Sequence, residues 1–148
     1  MKSLALAMLL LAAPGLAFGQ EVATKPDDII AARQGGMTLT GGLTDAMKAG
    51  VQSGADVKPF ATGAEAMVTW GQAYPALYPD GTQTGHNTKA KPEVWSDRAG
   101  FEKANLAFVA AAEKLEDAAK SGDKAAFASA FTATAQSCGG CHRNDKER

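Results

Sequence analysis

Cysteine and histidine are scarce in this chain of 148 residues, with two of each. That scarcity excludes whole classes of chemistry. A tetrahedral zinc site needs four ligands, and outside the cluster at 138–142 only His86 remains of either type. No Ser/His/Asp arrangement can be assembled either, so hydrolytic catalysis is not supported and the chain is not expected to be an enzyme. Runs of alternating β-branched residues are absent, which argues against a sheet-based fold. Basic residues number 15 against 16 acidic ones, with no basic face of the kind nucleic acid demands. Beyond the N-terminus no apolar stretch approaches the roughly 20 residues needed to span a bilayer.

The N-terminal residues read MKSLALAMLLLAAPGLAFGQ. Lys2 precedes an apolar run from Leu4 to Ala13, and Ala17 and Gly19 supply small residues for cleavage, which is the pattern of a secretory signal peptide over residues 1–19. Pro14, Gly15 and Gly19 interrupt the run before it is long enough for a membrane anchor. Cleavage after Gly19 leaves one domain, residues 20–148, with formal charge −2 once Lys2 is removed. The mature protein is expected outside the membrane in an extracytoplasmic compartment, most simply a bacterial periplasm.

Apolar residues recur at helical spacing, and the domain reads as all-α. A first helix begins near Pro26 and Asp27 and carries Ile29, Ile30, Arg33, Met37, Leu43 and Met47. Gly35, Gly36, Gly41 and Gly42 each cost this helix up to about 1 kcal/mol relative to Ala; close approach of a bulky planar group would compensate. A second helix is expected from about Asp56 to Ala73, with Phe60, Ala64, Met67, Val68 and Gly71 facing inward and Tyr74 and Pro75 closing it. Pro75 to about Glu93 reads as a long surface loop. A third helix follows Trp95, capped by Ser96 or Asp97, with Phe101, Phe108 and Leu115 repeating every seven residues. Ser121 and Gly122 break the chain, Asp123 can cap, and Phe127, Phe131, Thr134 and Cys138 follow at steps of three or four. The expected architecture is an antiparallel up-down-up-down four-helix bundle, a fold in which cofactor sites form between facing helices.

Residues 138–142 read Cys-Gly-Gly-Cys-His, the C-x-x-C-H pattern of covalent haem c attachment. In an oxidising compartment a disulfide is the default use of two cysteines, and a C-x-x-C at a helix start is a redox pair in thioredoxin-like proteins. The latter wants a preceding strand, which is missing. If the fourth helix continues through the motif, positions 138, 141 and 142 share one face. Two thiols there can reach the two vinyl groups on one porphyrin edge, with the His142 imidazole beneath the iron. The haem would then lie between helices, held near the C-terminal one.

An export signal, four helices and a C-x-x-C-H near the C-terminus together resemble class II cytochromes c, the cytochrome c′ family with its low-spin relatives. Arg33-Gln34-Gly35-Gly36-Met37 is similar to the family's arginine followed four residues later by the distal-side residue, and Pro92-Glu93-Val94-Trp95-Ser96-Asp97 to its entry into helix three. The resemblance implies Arg33 beside a haem propionate, Gln34 near the same edge and Met37 over the iron, as sixth ligand or as apolar filler. It also implies a homodimer through the first two helices as one assembly. The chain departs from the family after the histidine, where an aromatic and an arginine are often found; here Asp145 and Lys146 stand.

His86, in a Gly/Thr-rich loop, reads as a solvated histidine rather than a ligand. For Trp70, Trp95, Phe101, Phe108, Phe127 and Phe131, core packing is the better single-residue reading. Two functions fit a single haem c: transfer of single electrons between periplasmic redox proteins, or binding of nitric oxide or carbon monoxide at an open iron. The first is preferred.

Overall fold

The structure is a computed structural model and describes residues 25–147. The expected leader over residues 1–19 lies outside them. Helix α1 runs Pro26–Ser53, α2 Ala61–Ala73, α3 Glu93–Ser96, α4 Arg98–Ser121 and α5 Lys124–Asp145. Four of these are the expected bundle helices, and α3 is a single added turn. Among the described residues there is no strand, and no helix is long and apolar enough to cross a membrane.

The helix boundaries follow from local chemistry. Pro26 occupies the first turn of α1, where its missing N–H costs nothing. Asp97 caps α4 by accepting from Gly100 N at 3.1 Å, so of the two expected caps the aspartate serves. Asp123 caps α5, accepting from Ala125 N and Ala126 N at 2.9 Å each, a device worth about 1 kcal/mol. Gly122 ends α4 in the left-handed region at φ 79°, where a side chain would be strained.

Two expectations are corrected. The second helix does not begin at Asp56: residues Lys58–Phe60 form a 3-10 turn, and α2 starts at Ala61. Pro59 removes an N–H and disfavours α conformation at the residue before it. The segment after Pro75 is not simply a surface loop either. It opens with a 3-10 turn over Tyr74–Leu77, and Tyr78 and Thr82 are buried, at 8% and 1% exposure.

The core has two parts. A larger cluster joins α1, α2, α4 and α5 through residues such as Met47, Met67, Leu115 and Phe127. A smaller aromatic one gathers Tyr74, Tyr78, Val94 and Phe101. Full burial of each Phe or Leu contributes about 1.5–3 kcal/mol, so these contacts outweigh the glycine penalty along α1. Close approach accounts for two of its glycines. A β-carbon on Gly36 would collide with the indole of Trp70, and one on Gly50 with the ring of Phe60.

Candidate cofactor site

Between α1, α2, α4 and α5 lies a lobe of about 260 Å³, adjoined by one of about 310 Å³ between α1, α4, α5 and residues 88–90; together they reach the size range of ligand pockets. Met37, Tyr74, Phe101, Cys141 and His142 border both. The first lobe is apolar and adds Trp70, Asn105, Phe108 and Cys138. The second adds Arg33, Gln34, Thr88, Lys89 and Asp145. Helix α5 continues through the motif to Asp145, so Cys138, Cys141 and His142 do come to one cavity as their spacing implies. Gly41 lies on the opposite wall, and a β-carbon there would enter open space.

Both cysteines are free. Cys138 Sγ donates to Thr134 O at 3.3 Å and Cys141 Sγ to Asp145 Oδ2 at 3.4 Å. Burial pushes both thiols up, Cys141 to about 12, where the Asp145 hydrogen bond and charge add to the effect. Reactive dithiol pairs depend on the opposite shift. Burial, and then Lys146, pulls the His142 pKa down. That favours the neutral imidazole, the form that ligates metals.

Arg33 is 2% exposed, so it is not a solvated helix charge. Its Nη1 donates to Leu77 O at 3.1 Å and Thr82 Oγ1 at 3.0 Å; its Nη2 donates to Thr82 O at 2.8 Å and Thr88 Oγ1 at 2.9 Å. Its Cζ lies 4.3 Å from the centre of the Tyr78 ring and 5.6 Å from that of Trp95. Among the described residues no carboxylate pairs with it. A buried cation without a counter-ion is costly, and this one borders the polar lobe. Gln34 borders the same lobe and donates from Nε2 to His86 O at 3.1 Å.

The remaining candidates divide. Trp70, Phe101 and Phe108 border the first lobe, whereas Phe127 belongs to the larger core and Trp95 to a groove on the loop surface. His86 is exposed at φ 42° beside that same groove and does not border the cavity.

Sequence reading missed Tyr74 and Tyr78, whose hydroxyls hydrogen-bond to each other in the buried aromatic cluster. It also missed Asn105, which donates from Nδ2 to Gly71 O at 2.8 Å. Asn105 carried a signal, being a polar residue on the stripe defined by Phe101 and Phe108. Tyr78 lay in a segment without periodicity.

The residues present fit a haem c. Two free thiols and a neutral imidazole face an apolar cavity, Gly41 leaves room for a flat group, and Arg33 offers a buried charge to a carboxylate. A helical bundle closing such a cavity around C-x-x-C-H in its last helix defines a class II c-type cytochrome.

Comparison with known proteins is specific. A family model described as Cytochrome C′ matches residues 28–145, and the chain belongs to that family. It is similar to cytochrome c′ from Rubrivivax gelatinosus, with 39% identity over 126 residues that cover 84% of this chain and 98% of the relative. The crystal structure of that relative superposes with a TM-score of 0.77, covering 83% of this chain and 98% of its own. A nitric oxide complex of a cytochrome c prime variant from Alcaligenes xylosoxidans is 31% identical with a TM-score of 0.76, covering 84% of this chain and 98% of that one. A carbon monoxide-bound variant of the same protein gives the same values. The protein is thus a haem protein that carries one covalently bound haem c with its iron.

Proposed function

We propose that Cys138 and Cys141 hold the haem through thioethers, that His142 ligates the iron, and that the protein carries single electrons between periplasmic redox proteins. It is a carrier rather than an enzyme. The reading leans on Met37, which borders both lobes of the cavity together with His142; a thioether opposite histidine is a soft ligand that raises the potential. The cofactor supplies the redox chemistry, while the chain sets burial, charge and access.

A second reading, binding of nitric oxide or carbon monoxide, rests on the gas-bound relatives and on Met37 merely filling space over the iron. Absorption spectra in both oxidation states, with and without carbon monoxide, decide between them. Ligation by Met37 gives a low-spin ferric spectrum with a near-infrared methionine-to-iron charge-transfer band and weak carbon monoxide binding, and Met37→Ala opens the site. A high-spin wild-type spectrum with ready carbon monoxide binding rejects ligation and moves gas binding to first place.

A homodimer through α1 and α2 is part of the proposal. An apolar groove there is lined by Leu39, Leu43, Ala66 and Trp70, and Leu39 is 73% exposed. Sedimentation of wild type and Leu39→Glu tests it; a wild-type monomer sinks the assembly.

A further inference from the structure

The segment that carries the iron-side histidine ends in a strap. Lys91 N donates to Asp145 O at 3.0 Å and Glu147 N to Lys89 O at 2.8 Å, so Ala90 and Lys146 form an isolated antiparallel bridge. Lys91 Nζ adds a bond to Arg143 O at 2.9 Å, on the residue next to His142. These bonds tie the last turn of α5, whose carbonyls have no helical partners, to residues 89–91. The strap is itself anchored. Thr88 Oγ1 accepts from Ala90 N at 3.3 Å and from Arg33 Nη2 at 2.9 Å, joining the bridge residue to a buried group on α1.

We propose that Thr88 and Lys91 are positioning residues for His142: through the strap they hold the end of α5 in place and resist displacement of the imidazole from the iron. The inference rests on His142 being the ligand. With haem bound, nitric oxide on the ferrous iron would weaken the bond that holds His142; were that bond to break, the neutral imidazole would leave with its electron pair and nothing would be oxidised or reduced. For the ring to leave, the turn that bears it must shift, and the strap bonds oppose that shift.

The test uses the full-length holoprotein with nitric oxide as probe. Electron paramagnetic resonance of the ferrous complex at saturating gas reports the ratio of histidine-released to histidine-bound iron, and stopped-flow absorption gives the rate of release. Lys91→Met raises the released-to-bound ratio by about fivefold, the effect of one net hydrogen bond, Thr88→Val, which removes two, raises it further, and both speed release. Thr88→Ser and Lys91→Arg, which keep the hydroxyl and the cation, stay near wild type. Thermal unfolding is followed in parallel to separate positioning from stability.

A fall in unfolding temperature with unchanged ratio and rate overturns the proposal and makes the strap a stability element only. So does a wild-type protein that releases His142 completely and as fast as Thr88→Val. A wild-type complex with no histidine-bound species at any time, together with a His142→Gly variant of unchanged ferrous spectrum, overturns the ligand reading itself.

Discussion

The indole of Trp70 in α2 fills the space that a β-carbon on Gly36 of α1 would need. Gly36→Ala therefore overpacks the contact and lowers holoprotein stability by about 1–3 kcal/mol. Gly35→Ala, one residue away with no atom within 4 Å of its added carbon, raises stability by up to about 1 kcal/mol through helix propensity. Denaturant titration of both variants checks the contrast. Equal effects at the two positions would show that backbone propensity alone governs this stretch.

This pair also shows what could be read from the sequence and what could not. Expecting a bulky planar group against the α1 glycines was sound in kind, but at Gly36 the group is a tryptophan of the chain itself. Local signals carried through: Asp97 and Asp123 cap as expected, and three- and four-residue spacing brings Cys138, Cys141 and His142 to one cavity. The partners of Arg33 were illegible. They lie 44 to 55 residues away, in an aperiodic segment rich in Gly, Thr and Pro whose path is set by tertiary contacts. The start of α2 was misjudged because Pro59 suits both a helix's first turn and a 3-10 turn before it.

The chain has two tyrosines, and both sit in the buried pair of Tyr74 and Tyr78. Burial raises the pKa of each above its ordinary value of 10.0. A raised folded-state pKa means stability that is fully present below the unfolded value and lost as pH climbs toward the folded one. Stability should thus decline only above pH 10 or so. Tyrosinate absorbance should rise together with loss of helical circular dichroism. Ionisation near pH 10 with the fold intact would contradict the buried pair.

Covalent attachment predicts that acid-acetone treatment leaves the haem on the polypeptide, with intact mass greater by one haem. Loss of all colour into the solvent would refute it. Replacing Cys138 and Cys141 together by Ala should abolish stable holoprotein or leave haem that the same extraction removes. Replacing one cysteine should leave a single thioether and an absorption spectrum shifted toward that of a haem with an intact vinyl group.

Arg33 combines two roles that substitution can separate. As a hydrogen-bond hub it satisfies two carbonyls and two threonine hydroxyls in the loop, and stranding such buried acceptors costs about 1–3 kcal/mol each. As a charge it borders the haem cavity without a carboxylate partner among the described residues. Arg33→Met removes both roles, so stability falls by several kcal/mol, on the order of two stranded acceptors, and the reduction potential falls too. The sign follows from charge: a nearby cation disfavours ferric haem, which carries one more positive charge than ferrous. Arg33→Lys keeps the charge but not the planar fork. It should lose much of the loop stability while holding the potential closer to wild type than Arg33→Met does. Spectroelectrochemistry at low salt, beside denaturant titration, reads the two quantities independently. Equal potentials in all three proteins would confine Arg33 to the loop and remove it from the haem's electrostatics.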